Sequence, residues 1–389
     1  MIVYGWAESM SYAMLIVAIY AASLFFIERV FRRVNILTEQ TLIRSSPIDA
    51  LRGLLATSVV CHHFVVTYHW KISGVWERPQ SDILNNMGVV PVSLFFMITG
   101  FLFFGKVYRK SPEWGNILRS RIQRVMPLYL FVVLMVFVIS VMRTGCVMNG
   151  DTRGLIKALI SWGLFVGSSF NGSVESVHMT SGAHWTLRYE WLFYCSLPIV
   201  AAIFNMKWYG KYCFLSMLAV GLAIPGVYAG LVVPKLALLF FIGFAPVIIK
   251  INFPGFLPLI KGRLSSLLVL VFIVYAMFMG QGYSIIQILV LGVPFIMIAL
   301  GNDVFGVLDS RGLKALGEVS YSIYLTHGLI LYMLFSVLEV FSFEEGGVLQ
   351  YSAWLPVVLT LVAVCSIVTF SMIEKPFILV KNKKMPVLS

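Results

Sequence analysis

The stretch that decides the fold begins at residue 46 and reads Ser46-Pro47-Ile48-Asp49-Ala50-Leu51-Arg52-Gly53-Leu54-Leu55-Ala56-Thr57-Ser58-Val59-Val60-Cys61-His62-His63-Phe64. Ser46, Pro47 and Asp49 form a helix-start signature, with a hydroxyl cap, a proline in the first turn and an acid at the third position. The residues that follow are almost all apolar. The stretch therefore predicts an α-helix that enters a lipid bilayer.

Arg52 and His63 share one face of this predicted helix. Their spacing turns the helix through three revolutions plus about 20° and moves His63 about 16 Å further along the axis. Ionisable groups inside a membrane are costly and by default functional, so a functional role is expected for His63. Its neighbour His62 points about 100° away. The alternative interpretation of His63 is a packed, hydrogen-bonded helix histidine.

The composition indicates a helical membrane protein. Hydrophobic residues make up 59% of the chain and charged residues only 12%, and the mean hydropathy is +0.90. These values exclude an ordinary soluble domain. The net charge of +12 comes from loops between apolar runs, which indicates membrane orientation and no nucleic-acid partner. The five cysteines show no metal-like spacing and no disulfide framework, so no metal is expected.

The fold class predicted from these runs is all-α, a polytopic transmembrane helical bundle of about eleven spans. A shorter stretch at 155–169 contains Lys157 and precedes a Gly/Ser-rich loop, so we expect it to be re-entrant or interfacial. The predicted spans are 10–27, 49–68, 88–105, 126–142, 187–204, 212–229, 236–250, 264–280, 283–300, 317–335 and 352–372.

Basic residues fall in alternate loops between these spans, which predicts an outer N-terminus and a cytoplasmic C-terminus. We expect residues 1–45 to form an accessory span with a basic loop and residues 46–389 to form the main membrane domain. The basic clusters are Arg29/Arg32/Arg33/Arg44, Lys106/Arg109/Lys110/Arg119/Arg121/Arg124, Lys207/Lys211, Lys250/Lys261/Arg263, Arg311/Lys314 and Lys381/Lys383/Lys384.

Six motifs, met in order between about residues 46 and 377, resemble those of the acyltransferase-3 family of bacterial membrane acyltransferases. Any one of them is weak evidence, whereas six in family order are strong. They are Ile48-Asp49-Ala50-Leu51-Arg52-Gly53 running to His63, Gly88 to Phe101, Arg121-Ile122-Gln123-Arg124-Val125-Met126-Pro127, Trp185-Thr186-Leu187-Arg188-Tyr189-Glu190 with Phe193-Tyr194, Gly317 with Ser320 to His327, and Ile373-Glu374-Lys375-Pro376-Phe377.

The resemblance implies an O-acyltransferase of the bacterial cytoplasmic (inner) membrane. Cytoplasmic acyl-CoA, with acetyl-CoA expected, is the implied donor co-substrate, and a hydroxyl of an exported or lipid-linked glycan is the implied acceptor. No tightly bound cofactor is expected. His63 is the expected base, since histidine titrates near neutrality. Glu190 is the expected second catalytic residue, which orients the imidazole. The alternative for Glu190 is a structural ion pair with Arg188 or Arg52.

The resemblance also implies a donor site at Arg121 and Arg124, which lie in the most basic predicted cytoplasmic loop. Guanidinium groups bind the phosphates of an acyl-CoA well. Taken alone, such a loop more often sets topology or contacts anionic lipid. Arg52 is assigned to the donor's phosphate end as well, with bracing of its own helix as the alternative, and Asp49 is expected to cap that helix.

Substrate contacts are predicted for Trp185, Tyr194 and His327, with a structural hydrogen bond as the alternative for His327. Glu374 is expected to anchor a helix end. A transporter of small solutes or lipid-linked sugars is the alternative function, although the paired repeats typical of transporters are not visible. Other acceptors, such as an antibiotic, a peptide amine or a periplasmic glucan, and a succinyl donor also stay open, as does the oligomeric state.

Overall fold

The computed structural model describes residues 10–34, 36, 46–109, 112–148 and 152–379. A 3₁₀ helix spans Val174–Thr180, and π-helical turns lie at Met333–Val337 and Phe370–Glu374. The α-helices are α1 (Met10–Arg33), α2 (Pro47–Ser73), α3 (Asp82–Arg109), α4 (Trp114–Arg143), α5 (Thr152–Gly163), α6 (His184–Asn205), α7 (Lys211–Tyr228), α8 (Ala237–Ile242), α9 (Ala245–Asn252), α10 (Leu257–Ile260), α11 (Arg263–Met277), α12 (Ile285–Ala299), α13 (Arg311–Glu318), α14 (Ser320–Tyr332), α15 (Val348–Ser352), α16 (Leu355–Thr369) and α17 (Lys375–Leu379).

The all-α polytopic fold is confirmed. Nine helical segments of the described chain are long and apolar enough to cross a membrane, or ten if the pair Pro254–Ile260 and Arg263–Met277, bent by 77°, is one span. The remaining predicted span is α12, whose 15 residues measure about 22 Å and fall short of a hydrocarbon core about 30 Å thick. Helix α5 has 12 residues and is also too short to cross, as expected for the stretch near 155–169.

Two helices take up most of the described part of the basic segment before the fourth span. The predicted cytoplasmic loop extended from Lys106 to Arg124, but α3 continues to Arg109 and α4 begins at Trp114. Arginine is a good helix former, so α4 begins about three turns before the apolar run that predicted the span. Arg121 and Arg124 therefore lie inside a helix, one turn apart.

The chain divides into two compact units. The first comprises the described residues of Met1–Lys106, Pro234–Tyr324 and Leu334–Ala363. The second comprises those of Val107–Val233, Leu325–Met333 and Val364–Ser389. Of the basic residues used to predict orientation, Arg44, Lys110, Lys381, Lys383 and Lys384 lie outside the described residues, so the topology stays a prediction. The division into residues 1–45 and 46–389 also stays a prediction.

In the first unit, helix α2 packs against α13 at the level of the backbone. A Cβ atom on Gly53 would lie 2.7 Å from the Leu313 carbonyl oxygen, and one on Gly317 would overlap the backbone of Asp49. Small residues allow this approach, as is common between helices in membranes. The close approach of α2 and α13 therefore depends on glycine at positions 53 and 317.

Helix α1 braces the same two helices. The Tyr20 hydroxyl donates to the Leu54 carbonyl oxygen at 3.2 Å and lies 3.0 Å from Thr57 Oγ1, both on α2. Ser310, the N-cap of α13, donates its hydroxyl hydrogen to the Glu28 carboxylate. Buried polar groups that are paired in this way favour one packing arrangement over others.

In the second unit, helix α4 holds α5 and the loop after it. The Tyr129 hydroxyl donates to the Trp162 carbonyl oxygen at 2.5 Å, and the Trp162 indole donates to the Ser168 carbonyl oxygen at 2.9 Å. Ser140 Oγ and Ser176 Oγ lie 2.9 Å apart, which joins α4 to the 3₁₀ helix. The loop is therefore fixed at several points along its length.

Candidate active site

The start of α2 has the predicted cap. The Asp49 carboxylate accepts a hydrogen bond from the Ser46 backbone amide at 2.9 Å, and Pro47 occupies the first turn. Arg52 Nη1 lies 3.9 Å from Asp49 Oδ1, and the Arg52 side chain is 16% exposed. The predicted roles of Asp49 as cap and as neighbour of Arg52 are confirmed. This ion pair supports the bracing interpretation of Arg52, and its donor role stays a prediction.

The two adjacent histidines of α2 have different surroundings within the first unit. His62 Nδ1 lies 2.8 Å from the Leu84 carbonyl oxygen on α3, and a Cβ atom on Gly88 of that helix would lie 2.6 Å from the His62 ring. His63 is half-buried, and its ring centroid lies 6.4 Å from that of Trp76, with the planes inclined by 26°. His62 thus packs between helices, whereas His63 faces the loop after α2.

Trp76 belongs to a small aromatic group next to the candidate base. Its ring packs edge to face against Trp70 at a centroid distance of 5.3 Å, and Trp70 is buried. Gly74, which ends α2 with a φ of 75°, turns the chain so that the loop folds back along the helix. A positive φ of this kind is easily adopted only by glycine. Trp76 had no role in the sequence prediction.

The second unit joins three of the predicted site residues. The Tyr194 hydroxyl donates to Glu190 Oε2 at 2.8 Å, a pairing of residues one turn apart on α6. The Arg121 guanidinium of α4 hydrogen-bonds to Tyr194 and lies close enough to Glu190 for a charge interaction. Glu190 and Arg121 are half-buried and Tyr194 is buried. A carboxylate, a phenol and a guanidinium thus form one connected set.

Arg124 lies one turn beyond Arg121 on α4 and is close enough to interact with its charge. Its side chain is half-buried. The Nη2 atom is buried and has no hydrogen-bond partner among the described residues. A buried guanidinium donor in this state is energetically costly and favours an anionic oxygen as its partner.

One predicted alternative for Glu190 is wrong. Arg188 does not pair with it, because Arg188 Nη1 donates to the Leu231 carbonyl oxygen at 2.5 Å and Nη2 donates to the Phe165 carbonyl oxygen at 2.8 Å. Carbonyl oxygens of two loops are strong acceptors for a guanidinium, so Arg188 joins loops instead. Sequence spacing could not reveal those acceptors.

The two aromatic substrate candidates on α6 differ in burial, and His327 lies deeper still. Trp185 is half-buried and packs edge to face on Tyr189 at a centroid distance of 5.6 Å. His327 is completely buried on α14. A Cβ atom on its neighbour Gly328 would overlap the Thr180 backbone, so this part of α14 is tightly packed. The substrate roles of Trp185, Tyr194 and His327 stay predictions.

The structure therefore groups the predicted site residues into two sets. Arg52 and His63 lie along α2 in the first unit. The other six predicted site residues lie in the second unit and form the second set. The predicted approach of Glu190 to His63 joins residues of different units and stays a prediction. Among the described residues, no group of three His, Cys, Asp or Glu side chains could hold a metal ion. The second set comprises Arg121, Arg124, Trp185, Glu190, Tyr194 and His327.

The family model described as an acyltransferase domain, Acyl_transf_3, matches residues 47–373. The match covers most of the chain and contains every candidate catalytic residue. This protein therefore belongs to the acyltransferase-3 family, and with its apolar helices it is a multi-pass membrane acyltransferase. No match was found among curated proteins or among solved structures. Membership in the family favours the enzyme over the transporter alternative.

Proposed function

We propose that the protein is an O-acyltransferase that moves an acyl group, with acetyl expected, from cytoplasmic acyl-CoA to a hydroxyl of an exported or lipid-linked glycan. It acts in the bacterial cytoplasmic membrane, with its C-terminus in the cytoplasm. The observation that carries this proposal is the connected set of Arg121, Tyr194 and Glu190. These residues come from two helices of a chain in the acyltransferase-3 family.

Arg121 and Arg124 are the proposed contacts for the phosphates of the donor. Both lie on α4, which by the predicted orientation begins on the cytoplasmic side. The Arg124 Nη2 donor is buried and lacks a hydrogen-bond partner in the described chain, and a phosphate oxygen of coenzyme A is a suitable acceptor for it. Arg121 is held by Tyr194, so its guanidinium fork is oriented before the donor binds.

His63 is the proposed general base. Its imidazole takes the proton of the acceptor hydroxyl while that oxygen attacks the thioester carbonyl. A C–O bond forms and the C–S bond breaks, and the proton then passes to the leaving sulfur to give free coenzyme A. The Trp76 ring stacks on the imidazole from one side and the His62 ring packs edge to face against it, so ring contacts hold the proposed base in place. Glu190 remains the proposed second catalytic residue.

The proposal is tested with the purified protein in liposomes, with acetyl-CoA as donor and a cell-envelope glycan fraction as acceptor. Release of coenzyme A and a mass increase of one acetyl group on the glycan are expected together. The His63→Ala variant should insert and fold normally but release no coenzyme A in response to glycan. Near-normal turnover by that variant would contradict the proposal. Glycan flux into vesicles without coenzyme A release would support a transporter.

A further inference from the structure

A second polar cluster lies in the second unit, and none of its residues has been assigned a role so far. It consists of Arg143 at the end of α4, Glu175 and His178 on the 3₁₀ helix, and Tyr332 at the end of α14, and we call it the Glu175 cluster. The Tyr332 hydroxyl donates to Glu175 Oε2, and Arg143 hydrogen-bonds to Tyr332. His178 lies close enough to Glu175 for a charge interaction.

The 3₁₀ geometry explains why Glu175 and His178 face the same way. Residues three apart eclipse one another in a 3₁₀ helix, so the imidazole and the carboxylate share one face of it. The helix is anchored on both sides. Ser176 Oγ lies 2.9 Å from Ser140 Oγ of α4, and Gly328 of α14 leaves no space for a Cβ atom against the backbone of the helix end. The cluster is therefore preorganised.

The cluster is accessible from its outer side. Tyr332 is buried, Glu175 and His178 are half-buried, and Arg143 is exposed. The phenol thus supports the carboxylate from within, while the half-buried Glu175 and His178 and the exposed Arg143 leave part of the cluster open to solvent. By the predicted orientation, helix α4 ends outside the membrane, so the cluster lies on the side where an exported acceptor is found.

The charges of the cluster favour a neutral ligand rich in hydroxyl groups. The charges of Glu175 and Arg143 nearly cancel, so the cluster has little net charge with which to attract either an anion or a cation. Each hydroxyl of a sugar both donates and accepts a hydrogen bond, and the cluster offers an acceptor in Glu175 and donors in Arg143 and His178. Burial lowers the pKa of His178, although Glu175 partly opposes this shift. The imidazole therefore adds no net positive charge near neutral pH.

We propose that the Glu175 cluster binds a neutral saccharide through its hydroxyl groups and thereby holds the acyl acceptor. The identification of this saccharide as the acceptor rests on the function proposed above. Binding itself does not need an acyl donor and is measured separately.

The test is saturation-transfer difference NMR on the full-length protein in nanodiscs, without acyl donor and without sugar-based detergent. The probes are methyl β-D-glucopyranoside and methyl α-L-rhamnopyranoside, with methyl β-D-glucuronide as the charged comparison. We expect transfer to at least one neutral probe and a stronger signal for it than for the glucuronide. The Glu175→Gln variant should weaken the affinity for the neutral probe about tenfold or more, because one charged hydrogen-bond acceptor is lost.

Two variants keep the test decisive. Glu345→Gln changes an exposed carboxylate in a different predicted outer loop, and it should bind the probes as the unchanged protein does. Tyr332→Phe removes the supporting hydroxyl and should weaken binding less than Glu175→Gln. If no neutral probe shows transfer, or if Glu175→Gln binds as tightly as Glu345→Gln, the inference is wrong.

The outcomes also separate this inference from the proposed function. Loss of probe binding in Glu175→Gln together with continued turnover by His63→Ala would support the saccharide site and contradict the proposed base. An unchanged acceptor KM in Glu175→Gln together with an inactive His63→Ala would contradict the Glu175 cluster as the acceptor site and would support the proposed base.

Discussion

His63 lies beside aromatic rings, whereas Glu190 lies in a connected set of charged and hydrogen-bonding groups. The ring neighbours of His63 include His62 and Trp76, and Trp76 in turn packs on Trp70. Glu190 is tied to Tyr194, and Tyr194 to Arg121. Aromatic rings define the space around a base and make it less polar. The ionic set holds the Arg121 guanidinium in a position where it can bind an anion. The first surroundings suit the proposed removal of a proton, whereas the second combine a guanidinium proposed to bind phosphate with the carboxylate proposed to orient the base.

The largest expected effect comes from the histidine pair on α2. His63→Ala should lower kcat for acyl transfer at least about 100-fold, the usual contribution of a general base. His62→Gln is the matched control, since His62 packs against Leu84 and Gly88. This control should retain kcat within a few-fold once folded, even if its melting temperature falls. The measurement is coenzyme A release in liposomes. Equal losses of kcat in the two variants would contradict the assignment of the base to His63 alone.

The next largest loss of kcat is expected at Glu190 and Tyr194, and their variants test whether the two residues act as one set. Glu190→Gln keeps an acceptor oxygen for the Tyr194 hydroxyl but removes the charge, and it should lower kcat about 10- to 100-fold. Tyr194→Phe removes the link and should cost about tenfold. If the residues act together, the double variant is no slower than Glu190→Gln alone. Multiplied losses in kcat would show that they act independently.

A smaller effect is expected on the donor side. Arg124→Lys should raise the KM for acetyl-CoA about tenfold with little change in kcat, because lysine lacks the planar fork that binds phosphate. The exposed Arg119 on the same helix provides the control variant Arg119→Lys. Acetyl-dephospho-CoA, which lacks the 3′-phosphate, should be a poorer donor for the unchanged protein and for the control. If the preference for acetyl-CoA over acetyl-dephospho-CoA is as strong in Arg124→Lys as in the unchanged protein and in Arg119→Lys, Arg124 does not contact that phosphate.

The smallest effect concerns His178, which extends the comparison to an imidazole beside a carboxylate. Burial lowers the pKa of His178 in the folded protein, so the unfolded chain binds a proton more readily. As the pH falls below the ordinary histidine value of about 6.5, protonation of His178 in the unfolded chain therefore lowers the free energy of unfolding. Near pH 7.5 this loss of stability is absent. The charged group that interacts with His178 is Glu175.

His178→Gln should therefore make the melting temperature fall less steeply between pH 7.5 and pH 5.5. The measurement is thermal unfolding across that range, with Glu345→Gln as the control. A steeper fall in the His178→Gln variant would contradict the direction of the pKa shift.

Much of the fold follows from hydropathy, because each long apolar run must form a helix in lipid. The start of α4 does not follow, since a helix of basic residues can continue past the bilayer without any apolar signal. Within the site, the Glu190 and Tyr194 pair is visible as a one-turn spacing on a predicted helix. The approach of Arg121 to Tyr194, the loop that brings Trp76 to His63 and the Glu175 cluster depend on tertiary packing, for which a single sequence has no spacing rule.

The contacts of α1 affect how this enzyme can be recombined with its relatives. The family match begins at residue 47, yet Tyr20 hydrogen-bonds to the helix that contains His63. A chimera joined at the start of the matched region would keep every motif and lose this brace. Exchanges between homologues should therefore transfer the first helix together with the domain that it supports.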